Sequence, residues 1–168
     1  MSDNEIRPGQ IAHGWWKAQL RPEVDTGPAR GLRARLRRAS GLVDLLAEPQ
    51  VVALYDALER RVTPEVLAAL AQVLAQVERH EGRRAARAFG AGDPKALSPM
   101  RFQRLIRADE PLALAQALRR ALPLIEHGCN VSALAGDILF WGEAVRIRWC
   151  FDYYGARVPA ASDPEETE

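Results

Sequence analysis

Cysteine and lysine are scarce in this chain of 168 residues. Two cysteines, Cys129 and Cys150, are too few for a disulfide framework, and the expectation is a reduced, cytoplasmic protein. No apolar run reaches the roughly 18 residues that a membrane-spanning helix needs, so no membrane partner is expected. The opening Met1-Ser2-Asp3-Asn4-Glu5 is acidic and polar, unlike a secretory signal. Of the three histidines, His13, His80 and His127, none stands four residues from another His or a Cys, which leaves no zinc-like pair. His80 beside Glu81, and His127 near Cys129, read as polar groups near helix ends and a small buried thiol. Gly90-Ala91-Gly92 lacks the third glycine and the flanking strand of a nucleotide loop. The pair Asp109-Glu110 sits at a helix start, where a cap and the helix dipole account for it. No catalytic residue, metal or cofactor is expected, and the chain does not read as an enzyme.

What the chain has is apolar residues, at 48%, and arginine. Of its 23 basic residues, all but Lys17 and Lys95 are Arg, whose planar fork of donors suits phosphate better than the point charge of Lys. The net charge of +1 conceals a segregated pattern. Residues 30–38 hold five Arg and no acid, and residues 79–107 hold eight bases against Glu81 and Asp93. Residues 163–168 hold four acids, so the remainder is more basic than the whole.

The apolar spacing is helical throughout, without the alternation of a half-buried strand, and predicts an all-α fold. Helices are expected over Ile11–Leu20, Ala29–Ser40 and Gln50–Arg60. The next starts at Thr63, with Pro64 in its first turn and one stripe through Val66, Leu67, Leu70, Val73, Leu74 and Val77. Ser98-Pro99 opens a helix to Ala108, Asp109-Glu110-Pro111 opens another to about His127, and a long last helix is expected from Val131 to Tyr154. Residues 83–97, basic and rich in glycine, read as a loop joining two small helical bundles, 11–82 and 98–155, with flexible termini at 1–10 and 156–168.

Projected on a helix, Leu32, Leu36 and Ala39 face the core, Arg30, Arg33 and Arg37 gather to one side, and Arg38 lies on the far face. On the later helix, Phe102, Leu105 and Ile106 face inward while Arg101, Arg104 and Arg107 line the opposite arc. Such arcs lack acids at i, i+4 and suit phosphates; the other reading is a solvated basic face, or pairing with acids from elsewhere in the fold. Ile138, Trp141, Val145 and Trp149 recur at helical spacing and read as core rather than as a stacking platform for bases.

The string Arg101-Phe102-Gln103-Arg104-Leu105-Ile106-Arg107-Ala108-Asp109 resembles the central signature of the CasB family, the small subunit of the type I-E CRISPR Cascade complex. Trp15-Trp16, then Leu36-Arg37-Arg38-Ala39-Ser40, then Leu118-Arg119-Arg120, and finally Phe140-Trp141-Gly142 with Arg146, follow in that family's order. The resemblance covers about residues 11–155. It implies a non-enzymatic, all-α subunit of two helical bundles, normally present in two copies beside other Cascade proteins. Such a subunit contacts the guide RNA–target DNA region and helps hold the displaced strand. By resemblance, Arg37, Arg38, Arg101, Arg107, Arg119, Arg120 and Arg146 are nucleic-acid contacts; the helical projection adds Arg33 and Arg104. Glu143 departs from the base that some relatives carry after the Trp-Gly. The competing expectation is a helical adaptor that binds only protein, its Arg faces meeting acidic partners.

Overall fold

The structure is a computed structural model that describes residues 3–156, with side chains from residue 7 onward. Met1, Ser2, the acidic tail at 163–168 and the rest of the chain beyond residue 156 lie outside the described residues. In chain order the elements are α1 (Asp3–Gln19), α2 (Gly27–Arg38), α3 (Leu42–Leu46), α4 (Pro49–Ala57), α5 (Pro64–Leu74), β1 (Arg79–His80), α6 (Ala85–Phe89), α7 (Pro99–Ile106), α8 (Pro111–Ala121), a 3-10 turn (Leu122–Ile125), β2 (Gly128–Cys129), α9 (Val131–Leu139) and α10 (Glu143–Tyr153). The fold is all-α apart from β1 and β2, which pair in parallel with Arg79 opposite Gly128 and His80 opposite Cys129. Two residues per strand are too few for any alternation to announce them.

Local chemistry accounts for the helix starts. Thr26, Thr63 and Ser98 each precede a proline in the first turn, and each hydroxyl accepts a backbone N–H, from Ala29, Val66 and Arg101 respectively, at 3.3 Å. These caps satisfy donors that the first turn leaves open, and proline there forfeits no bond. The Asp109-Glu110 pair behaves otherwise. Glu110 occupies the cap position of α8 without a side-chain bond, and the Asp109 carboxylate turns away to Arg146.

Three of the expected helices differ in extent from the sequence reading, and α3 was not expected at all. Helix α1 begins at Asp3, ahead of the expected Ile11, although Pro8 and Gly9 read as breakers. It lies along α9 so closely that a side chain at Gly9 would come within 2.5 Å of the Ser132 carbonyl oxygen, and tertiary packing carries the helix through a locally poor sequence. Helix α8 ends at Ala121, short of the expected His127. Pro123 lacks the N–H that would continue it, and the chain tightens into the 3-10 turn before Glu126 and His127 adopt left-handed backbone. The long last helix is two. It breaks at Phe140–Gly142 because α9 packs on α1 and α5 whereas α10 packs on α6 and α7, and one straight rod serves only one of those surfaces.

The stretch expected as a bare basic loop contains α6, which buries Ala85, Ala86, Ala88 and Phe89 while Arg83 and Arg87 face solvent. The buried core runs as one cluster from Ala12 to Tyr153, through residues of both expected bundles. Its largest members include Trp16, Trp149, Tyr153 and Phe89.

Candidate nucleic-acid interface

Helix α2 buries Ala29, Leu32 and Leu36 as the projection requires. Most of its arginines are held by this chain's own acceptors. Arg33 donates to the carbonyls of Leu20, Arg21 and Val24 at 3.1–3.2 Å, tying down the turn that follows α1. Arg37 donates from Nε to the Ala75 carbonyl at 2.7 Å and pairs with Glu78 at 3.3 Å. Arg30 meets Asp25, and Arg35 forks onto Glu48 at 2.6 and 3.1 Å. Arg38, on the far face, is exposed and has no acidic partner among the described residues.

The second Arg arc is different. Helix α7 buries Phe102 and Leu105, which turns Arg101 and Arg104 outward; Arg107 follows as its exposed C-terminal cap residue. Across from them α8 contributes Arg120. These four arginines line a groove of about 640 Å³ between the two helices. Its floor is apolar, built from Leu97, Leu105, Ala108 and the α8 alanines 113, 117 and 121. No carboxylate lines it. The only side-chain partner of Arg104 among the described residues is the Met100 sulfur, at 3.9 Å. Arg119, half-buried on α8, stands beside the groove rather than in it. Four cations gathered with no counter-charge raise the local positive potential, which an incoming polyanion relieves.

Arg146 and Trp141 build this groove from behind. The Arg146 guanidinium pairs with Asp109 at 2.9 Å and donates to the Ala108 carbonyl at 3.1 Å. It also lies 5.5 Å from the centre of the Trp141 ring, and the Trp141 indole N–H donates to the same carbonyl at 2.9 Å. Ala108 is part of the groove wall, so these two side chains fix the α7–α8 turn. A pairing of Arg146 with residues of the α7–α8 turn was invisible to any i, i+4 rule; only the adjacency of Ala108-Asp109 to the Arg101–Arg107 arc hinted at it. Glu143, exposed in the first turn of α10, sits where the positive end of the helix dipole favours an acid.

A second, smaller cavity of about 270 Å³ adjoins the groove, and Ala113 lines both. Ser40, Gly41, Gln72 and Gln116 are among its walls, and Arg38 is two residues from Ser40 along the chain.

None of the aromatic residues lines either cavity. Trp149 is buried and donates to Asp137 at 2.8 Å, and Trp141 packs edge-on against it. Tyr153 stacks on Phe102 with centroids 4.0 Å apart and donates to the Leu97 carbonyl at 2.6 Å. Trp16 is buried with its N–H on the Val77 carbonyl, and Trp15 donates to Gln50.

The remaining polar groups are engaged in structure. His80 accepts the Val131 N–H and packs against His13, with ring centroids 4.3 Å apart and planes tilted by 33°. The His127 ring bonds the Gln76 carbonyl oxygen at 2.8 Å. Burial pushes the Cys129 thiol up to about 12. Among the described residues no three His, Cys, Asp or Glu converge as a metal site would require.

Comparisons with known proteins agree with this architecture. The family described as CRISPR-associated protein Cse2 matches residues 32–154. The crystal structure of CasB from Thermus thermophilus superposes with a TM-score of 0.64 at 26% identity, covering 89% of this chain and 99% of that one. No curated protein matches the chain. With a family match over most of its length and the fold to go with it, the chain belongs to the CRISPR-associated Cse2 (CasB) family.

Proposed function

We propose that this chain is the non-catalytic small subunit of a type I-E Cascade complex, and that it grips the backbone of the displaced strand or of the guide RNA–target DNA region. The observation that carries this reading is the α7–α8 groove, where Arg101, Arg104, Arg107 and Arg120 converge with no carboxylate among them. Arg38 is a further exposed cation without an acidic partner among the described residues, and Arg119 flanks the groove. Phosphate contacts of this kind position a strand without reading its sequence, which is left to base pairing. Arg33, Arg37 and Arg146 hold internal acceptors, and their part in binding is to set the frame on which the other arginines stand. Ile147 and Tyr154, seven residues apart on one face of α10, are exposed along with Phe140, which supports contact with other Cascade proteins or a second copy. Among the described residues no helix is long and apolar enough to cross a membrane, and the proposed setting is the cytoplasm.

The test is a salt titration of the purified chain on a generic single strand. Five phosphates neutralised by Arg38, Arg101, Arg104, Arg107 and Arg120 give a slope of log K against log salt of about −3.5, from roughly −0.7 per contact. A salt-independent affinity, or binding untouched by replacing Arg101, Arg104 and Arg120 together with Ala, abandons this reading for a protein-only adaptor.

A further inference from the structure

We propose that the α7–α8 groove takes nucleobases as well as phosphates, so that a single strand lies with bases turned toward the protein. This rests on the backbone-gripping reading above and goes beyond it in naming what fills the floor. Phosphates alone need only a convex arc of cations. Here the arginines surround a hollow whose floor is Leu105 and small alanines, and its 640 Å³ falls within the roughly 300–1,000 Å³ of sites that enclose organic ligands. A cationic rim over an apolar floor matches a ligand that is anionic on one side and flat and apolar on the other, which is an unstacked nucleotide. A duplex keeps its bases inside and cannot offer them.

The adjoining 270 Å³ cavity gives the second observation. It continues the groove past Ala113, and its polar wall is uncharged: Ser40, Gln72 and Gln116. The Gln72 amide nitrogen is already committed to the Leu36 and Ala39 carbonyls, which leaves the half-buried Gln116 amide, with donors and an acceptor, to meet a base edge. A compartment without a cation is a poor phosphate site and a fitting one for a base. No aromatic ring lines either cavity, so the bases pack on aliphatic groups instead of stacking between rings.

The experiment measures binding of the full chain, by fluorescence anisotropy at about 50 mM salt, to three labelled strands of equal length. These are oligothymidylate, oligouridylate and an abasic strand with the same phosphates. The expected result is that the base-bearing strands bind about tenfold tighter than the abasic one. The ratio of the two base-bearing affinities then assigns DNA or RNA as the preferred strand. Gln116→Ala, which removes the Gln116 amide from the second cavity, is expected to reduce the advantage of bases by about threefold. Equal binding of abasic and base-bearing strands by the unmodified chain overturns the base subsite yet leaves the phosphate grip standing. Failure of all three strands to bind overturns the backbone-gripping reading itself. The comparison on the unmodified chain decides the matter even if Gln116→Ala disturbs α8.

Discussion

Trp141 and Arg146 converge on one acceptor, the carbonyl oxygen of Ala108, at 2.9 and 3.1 Å. Because Ala108 closes the turn between the two helices that carry the arginine groove, a pair of residues on the last quarter of the chain sets the geometry of a surface formed by the preceding quarter.

Arg146 and Arg107 are therefore expected to separate cleanly on mutation. Arg146→Ala removes a part-buried, charge-assisted hydrogen bond and is expected to lower stability by about 1–3 kcal/mol in urea unfolding. Arg107→Ala, exposed and without an acidic partner among the described residues, is expected to stay within about 0.5 kcal/mol of the parent. It is expected to reduce the salt slope of single-strand binding by about 0.7. Equal stability losses for the two variants would contradict the division of roles.

Trp149 is expected to matter more for folding than Trp141, since it is fully buried and its N–H is one of two donors on the buried Asp137 carboxylate, the other being Arg148. Trp149→Ala is expected to cost about 3–5 kcal/mol. Trp149→Phe, which keeps most of the volume but strips one donor from Asp137, is expected to cost about 1–3 kcal/mol. Denaturant midpoints of the two variants and of Trp141→Ala provide the order.

The close approach of α1 to α9 makes two glycines of one helix behave oppositely. Gly9→Ala drives a methyl group against backbone of α9 and is expected to destabilise by about 1–3 kcal/mol. Gly14→Ala meets nothing within 4 Å and is expected to stabilise by roughly 0.5–1 kcal/mol through helix propensity. Thermal unfolding of both variants checks the sign of each.

Cys129 provides a pH-dependent expectation. Its thiol is raised to about 12, first by burial and then by the nearby Glu81. The folded chain therefore holds this proton more tightly than the unfolded chain does. The corresponding stability is complete below the ordinary thiol value, near about 8.5, and is lost as pH rises toward 12. Cys129→Ala is expected to lack that alkaline decline, measured as the difference between the two stability curves. At neutral pH, mass spectrometry after maleimide treatment is expected to find Cys129 unmodified until the chain unfolds.

Short-range chemistry was legible in the chain itself. Thr63-Pro64 and Ser98-Pro99 mark helix starts that the structure keeps, because a cap and a proline act within one turn. The inward stripes of α2 and α7 were legible for the same reason, since helical period alone decides which residues share a face. The Arg101–Arg107 arc, read from that period, is the part of the candidate site that the structure gathers into a groove.

The partners of the other arginines were not legible. Arg37 finds its acceptors 38 and 41 residues away, and Arg146 reaches Ala108 across 38. In sequence Arg33 and Arg37 look like bases without neighbouring acids, the same signature that Arg101 and Arg104 carry. The break at Phe140–Gly142 and the reach of α1 back to Asp3 follow from which helix each one packs against, a choice made between surfaces distant along the chain. The sequence by itself determined the capped helix starts, the buried faces of α2 and α7 and the excess of arginine over acid in two stretches, because those depend on neighbours within a turn or two. The tertiary structure alone decided which arginines close onto the protein's own carbonyls and carboxylates and which stay open to a ligand, because that depends on where the folded chain brings the acceptors.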